Sequence, residues 1–464
     1  MKTIKINPLT RISGMLEIDV HVEDNTVVDV KTESLLFRGF EKMLAGRAPL
    51  DAIYFTQRIC GICSTAHSVA SSLALEEALG IVPTEQGRYL RDIIHGCEFL
   101  QNHIRHFYQY TLPDYVRLPG YSAIFDSNTV DFRLPLPDNE RLAQHYFDSL
   151  QVSRSAHEML AIFAGKAPHN HGVFIGGATT EASVDKIIAL KSILRQIILF
   201  LDSCMIPDAY CIAKYYSGCF QLGKGCGNML SYGCFNGYKE LGTLYLNPMV
   251  YINGKLMPFE VTSITENFDY AWYRESASGP FPEDDMNKEK AYSWVKAPRY
   301  MGVPCEVGPL ARLWLAGEYR NGISSMDRTI ARVLEARKIA GIVNLLLSNL
   351  QMDIPMQSEY AIPEKASGSG LIDTTRGALG HWLTISNKLI FTYQIITPSV
   401  WNLSTKTEDG RYGPVEEALI GTTIADQDNP MELGRIVRSF DPCVSCATHI
   451  YTQGKLIKSL TAIP

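Results

Sequence analysis

The 464-residue sequence has no excess of positive charge, no uninterrupted apolar run and no low-complexity segment. Lys and Arg number 43 against 49 Asp and Glu, a net charge of −6. No basic field is therefore present to bind a nucleic-acid backbone or an anionic membrane. The longest apolar stretch, Ile187 to Ile206, is broken by Lys191, Arg195 and Asp202, so no direct membrane span is expected. The opening Met-Lys-Thr-Ile-Lys-Ile-Asn-Pro lacks the apolar core of a secretory signal. The default expectation is a cytoplasmic chain, with any export or membrane attachment carried by a partner. At 46% hydrophobic and 20% charged, the composition is that of an ordinary soluble globular protein, which excludes a disordered or fibrous chain. The length allows about three domains or one large fused core.

Cysteine is the residue present in excess: eleven in a chain with no export signal. In that setting cysteines bind metal, do chemistry or fill cores more often than they pair as disulfides. Cys60 and Cys63 form one C-x-x-C, and Cys443 and Cys446 form another near the opposite end of the chain. Cys204, Cys211, Cys219, Cys226 and Cys234 lie between, at spacings near 7.5 that match one buried helical stripe. Gly218, Gly223, Gly225 and Gly227 interrupt any continuous helix there, so this set reads as small core residues.

Alternation over residues 16–36, with Asp24-Asn25 in the middle, predicts a β-hairpin. Helical periodicity follows from Ser64 to a stop at Gly80, then over 86–111, 139–165, 183–216 and 323–351. Trp382–Ile385 and Lys388–Ile396 are strand-like, while 112–138 and 250–310 read as ordered irregular excursions. No internal repeat or domain boundary appears. The expected fold class is α+β: a large helical-bundle core with small peripheral β-sheets, residues 1–464 forming one domain.

Two C-x-x-C pairs suggest four thiolates converging on one metal site. Pairs drawn from opposite ends of a large chain staple a whole fold rather than a small zinc module, so their site is expected at its centre. Spacing alone leaves zinc, iron–sulfur and other soft metals open. The flanking residues narrow the choice. The pairs stand within R-I-C-G-I-C-S-T-A-H (58–67) and D-P-C-V-S-C-A-T-H (441–449). Further segments are F-R-G-F-E (37–41), G-K-G-C-G-N-M-L-S-Y-G (223–233), E-V-G-P-L-A-R (306–312), R-G-A-L-G-H-W (376–382) and T-P-S-V-W-N (397–402). In this order they resemble the large subunit of nickel–iron hydrogenases from end to end.

The resemblance implies nickel on four cysteines, Cys60 and Cys443 terminal, Cys63 and Cys446 bridging to an iron that carries carbon monoxide and two cyanides. It implies Arg376, preceded by Thr375, above the metals' open side, paired with Asp441. Pro398 and Ser399 are expected to hold a cyanide, and His67, four residues after Cys63, to reach that sulfur. Glu41, His449 and the carbonyl of Ile395 match the ligands of a magnesium or similar divalent cation. Dihydrogen and protons are the implied substrates. The implied partners are a small subunit carrying the iron–sulfur clusters, nickel-insertion factors, and a maturation protease that removes the tail after His449, Ile450 to Pro464. His95, His103 and His106 on the 86–111 helix either serve the site or tie helices together.

Four positions, in three segments, depart from the family. Ser13 stands where a proton-accepting glutamate is usual, with Met15 in place of histidine; Asn102 replaces an aspartate; Thr375 replaces a proline. A serine hydroxyl cannot hold a proton as a carboxylate does. The leading expectation is the catalytic subunit of a nickel–iron hydrogenase. Its rivals are a hydrogen-sensing or slow regulatory homologue and, with no catalysis at all, a structural four-cysteine zinc protein.

Overall fold

Alternating apolar residues from Leu16 onward build the first sheet. Strands β1 (Lys2–Ile6), β2 (Leu16–Glu23) and β3 (Thr26–Ser34) are antiparallel in that order. The turn uses Asp24 and Asn25 at φ of 47° and 61°, the conformation that two-residue hairpins demand and that these residue types tolerate. The computed structural model describes residues 2–36, 38–119, 131–274, 282–352, 354 and 358–444. Cys446, His449 and the tail from Ile450 to Pro464 lie outside the described residues.

The helices fall where the periodicity placed them, with two corrections. Helix α1 (Ser64–Leu79) stops at Gly80, which takes φ 67°. Helix α2 (Glu85–Arg105) starts on a Thr84 cap that accepts the Gly87 amide, but it does not continue regularly to 111: a π-helical turn occupies His106–Thr111. Helix α3 spans Leu136–Ala164. The helix predicted over 183–216 is two, α4 (Val184–Phe200) and α5 (Ile206–Tyr215), joined by a π turn at Leu201–Met205. Pro207 explains that break. It has no N–H to give and its ring collides with the carbonyl four residues back, so the turn widens before it. Helix α6 (Ser325–Asn349) begins on a reciprocal Ser324–Asp327 capping box.

Helix α2 packs on α3 and α6, and with α1 these make the main buried cluster, which includes Cys60, Cys63 and Cys443. Small sheets surround it. In one of them β4 (Lys365–Thr374), β5 (Gly377–Ser386) and β6 (Leu389–Ile396) run antiparallel. Strand β4 was not expected, because K-A-S-G-S-G lacks β-formers. Its glycines serve packing instead: a Cβ on Gly370 would collide with the Ala70 carbonyl and one on Gly368 with the Ala74 carbonyl. The hairpin therefore lies directly on α1, and its two-residue turn, Thr375–Arg376, is carried to the end of α1 where the first cysteine pair sits. The 250–310 excursion is ordered where described, with short strands such as Ile264–Asn267 and Ala297–Tyr300.

Candidate metal centre

Cys60 ends a 3-10 turn in extended conformation, and Cys63 stands at the N-cap position of α1. The Cys60 sulfur accepts the amides of Ile62 (3.3 Å) and Cys63 (3.4 Å), bonds that favour a thiolate. Cys443 arrives from the far end of the chain, just after α7 (Met431–Ser439) and the left-handed Asp441. Its sulfur stands 3.4 Å from that of Cys60, well beyond the about 2.05 Å of a disulfide. All three sulfurs fall within 4.8 Å of one another and all three residues are buried. Among the described residues none of the five middle cysteines joins such a group. Burial pushes their thiols up, that of Cys226 to about 12, so they remain neutral and poor ligands.

Ser13 is fixed beside Cys443 by the backbone. Its amide donates to the Pro442 carbonyl (3.3 Å) and its carbonyl accepts from Val444 (2.7 Å), setting the Cys443 sulfur 3.6 Å from the Ser13 hydroxyl. The Cys443 amide donates to the Ser399 hydroxyl at 2.8 Å; Ser399 follows Pro398 at the start of the short helix Pro398–Asn402. Arg376 donates through Nε to the Asp441 carbonyl (2.9 Å) and through Nη2 to the Asp441 carboxylate (3.0 Å) and the Asn102 Oδ1 (3.1 Å). Burial alone would depress the Arg376 guanidinium, but Asp441 and the sulfurs of Cys443, Cys63 and Cys60 outweigh it and hold the charge. Burial would likewise raise Asp441; Arg376, Arg332 and Asn102 reverse that and keep it ionised.

Two donors at this site are buried without a partner among the described residues: Arg376 Nη1 and Thr375 Oγ1. Orphaned buried donors are costly unless something accepts from them. Beside soft thiolates, they suit small acceptor ligands on a metal, so the donor set fits the nickel–iron group.

His67 Nδ1 lies 3.1 Å from His381 Nε2, and His381 Nδ1 lies 2.8 Å from the Tyr393 hydroxyl, which donates to Ser71. Glu41, on the short helix Phe40–Leu44, accepts the Ile395 amide at 2.8 Å, so these two expected cation ligands meet. Lys296 stands 3.9 Å from Glu41 and 3.5 Å from Glu266, whose carboxyl is raised by burial against the pull of that lysine. Glu266 was not singled out in the sequence.

His103 and His106 tie helices. His103 contacts Glu335 at 2.9 Å, which Arg312 clasps at 2.7 and 2.6 Å, and His106 donates through Nε2 to the Arg438 carbonyl at 2.8 Å. Burial lowers His103 to about 4 and His106 to about 3, leaving both neutral near pH 7. His95, also lowered by burial, stacks on Phe235. Arg332, which reaches Asp441 at 3.2 Å from α6, was not read from the sequence either; nothing local marks a residue whose partner is over a hundred positions away.

The Nickel-dependent hydrogenase family matches residues 38–121, 119–322 and 315–449. The periplasmic [NiFeSe] hydrogenase large subunit of Desulfomicrobium baculatum is 36% identical, covering 96% of this chain and 95% of its own. The hydrogenase-1 large chain of Escherichia coli K12 is 29% identical, covering 97% and 95%. The crystal structure of a reduced, active Ni-Fe-Se hydrogenase from D. baculatum superimposes with a TM-score of 0.93 over 97% of this chain and 100% of that one. The chain belongs to the nickel-dependent hydrogenase family. Within it, this protein is a catalytic large subunit: an oxidoreductase that cleaves or forms dihydrogen at a nickel–iron centre, with a small subunit as partner. Its fold, helical with small sheets, is that of the family. Among the described residues no helix is long and apolar enough to cross a membrane.

Proposed function

We propose that Cys60, Cys63, Cys443 and Cys446 are the ligands of the centre, Cys60 and Cys443 terminal on nickel, Cys63 and Cys446 bridging to iron with one carbon monoxide and two cyanides. The observation that carries this is the approach of Cys60 and Cys443 to 3.4 Å from opposite ends of the chain. Once bound, the metal pair supplies heterolytic cleavage of dihydrogen. The chain's part is to hold charge and protons. Arg376, kept cationic by Asp441, offers Nη1 toward the open side of the site and Thr375 its hydroxyl. Cys443 Sγ receives the proton, and the Ser13 hydroxyl passes it outward through water. Ser399 orients the second cysteine pair through the Cys443 amide, and Pro398 and Ser399 face a cyanide. His67 turns its second nitrogen to Cys63, the first being directed at His381.

In the same reading Glu41, the Ile395 carbonyl and His449 take a magnesium or similar divalent cation, hard oxygen donors with one imidazole. The small subunit carries the iron–sulfur clusters, since the described residues hold no second thiol cluster. Residues 1–464 form one large-subunit domain whose tail, Ile450–Pro464, a maturation protease removes after nickel-insertion factors have acted. An intact mass of active protein that lacks the tail supports this; a full-length mass contradicts it. The default compartment is the cytoplasm. The periplasmic name of the D. baculatum relative makes export with the small subunit the alternative, which cell fractionation tests. Elemental analysis of the purified complex tests the centre itself: nickel together with iron supports it, and zinc without nickel overturns it.

A further inference from the structure

Arg105 is the last residue of α2 and donates through Nη2 to Asn102 Oδ1 at 3.2 Å. Arg376 donates to the same oxygen at 3.1 Å. Two guanidinium groups thus converge on one neutral acceptor. Asn102 gives its own Nδ2 to the Asp441 carboxylate at 2.8 Å, and Arg332 takes that carboxylate at 3.2 Å. Asp441 is therefore already shared by Arg376, Arg332 and Asn102, and it is one negative charge facing the three cations Arg105, Arg332 and Arg376.

Among the described residues no carboxylate forms an ion pair with Arg105, and its Nε is buried without a partner. Burial lowers the Arg105 guanidinium; Tyr110, Asp441 and the Cys60 sulfur oppose this while Arg376 adds to it. A mostly enclosed cation without its own anion is costly and calls for a compensating negative charge nearby. Four thiolates on two divalent metals are already neutral, and any anionic ligand makes the centre negative; that is the missing anion. Cys60, a proposed ligand, lies within electrostatic reach of Arg105.

We infer that Arg105 is a second counter-charge for the metal centre, set beside Arg376 through Asn102, and that it favours the centre's more reduced, more negative states. The inference rests on the nickel–iron reading above. Arg105 acts through space and holds no substrate, so it is a positioning and electrostatic residue rather than a catalytic one.

The test is a redox titration of the intact complex, read by the infrared bands of the iron ligands and the electron paramagnetic resonance of nickel, in Arg105→Gln, Arg105→Lys and Asn102→Asp. A unit charge roughly 10 Å away at an effective dielectric of about 20 changes a one-electron equilibrium roughly tenfold. Arg105→Gln is expected to lower the reduced-to-oxidised ratio at fixed potential by about that factor, about 59 mV for one electron. Arg105→Lys keeps the charge and should stay near wild type. Asn102→Asp adds a carboxylate between the two arginines and should shift the ratio in the same direction as Arg105→Gln. A merely structural role would leave the titration unmoved. Metal-loaded Arg105→Gln with wild-type potentials and band positions overturns the inference. If that variant does not accumulate, an unshifted Asn102→Asp overturns it equally. Wild-type complex without nickel and iron overturns the underlying reading, and the inference with it.

Discussion

Ser13 and Cys443 are held together by their backbones. Two amide bonds, Ser13 to Pro442 and Val444 to Ser13, make a short parallel bridge that leaves the hydroxyl 3.6 Å from the sulfur. The position is thus built to face Cys443 whatever residue occupies it. A serine hydroxyl can pass a proton to water but cannot store one near neutral pH.

Ser13→Glu is therefore expected to raise hydrogen–deuterium exchange, since a positioned acid or base contributes about 10²–10⁴-fold. Arg376→Lys in the same assay should lose roughly 10²–10³-fold, because a lysine cannot hold Asp441 and Asn102 in a fork while pointing a further donor into the site. A Ser13→Glu rate no higher than wild type shows that the proton leaves by another route, with Arg376 and Asp441 the next candidates.

The hairpin carrying Arg376 is pressed on α1 through glycine. Gly370→Ala would drive a methyl group into the Ala70 carbonyl, so the hairpin must lift. Overpacking of this kind costs about 1–3 kcal/mol. Denaturant unfolding should show that loss, accompanied by reduced exchange as the Thr375–Arg376 turn moves away. Unchanged stability would mean that strand and helix are further apart than described.

Glu416 provides a pH test remote from the metals. Burial pushes its carboxyl up to about 7, against the lowering effect of the Thr32 amide and hydroxyl (3.0 and 3.2 Å) and the Tyr292 hydroxyl (2.8 Å). The folded state therefore binds this proton more tightly than the unfolded chain, whose glutamate titrates near about 4.3. Its contribution is fully present below that range and lost as pH rises through about 7, at up to about 1.4 kcal/mol per unit. Glu416→Gln keeps the acceptor oxygen and should flatten stability between about pH 5 and 7. An unaltered slope in unfolding midpoints would contradict this.

Much of the site was legible because it is written in local strings. The two C-x-x-C pairs and the R-G-A-L-G-H-W segment each carry their neighbours with them, and the Asp24-Asn25 turn announces its hairpin. What was not legible depends on distant partners. Strand β4 looks poor by propensity because its glycines answer to α1 rather than to the sheet. Arg105, Arg332 and Glu266 have ordinary surroundings in sequence and acquire meaning only when α2, α6 and the short strands converge. The π turns escaped because a helical period does not record a single widened turn, although Pro207 marks one of them.

The central claim is that Cys63, at the head of α1, shares one metal pair with Cys60 and Cys443. Infrared spectroscopy of the purified wild-type complex and of Cys63→Ser tests it most directly. The account predicts carbonyl and cyanide stretching bands in the wild type, lost in Cys63→Ser together with nickel and activity. A wild type without those bands, or a Cys63→Ser complex that keeps them with its nickel, would contradict it.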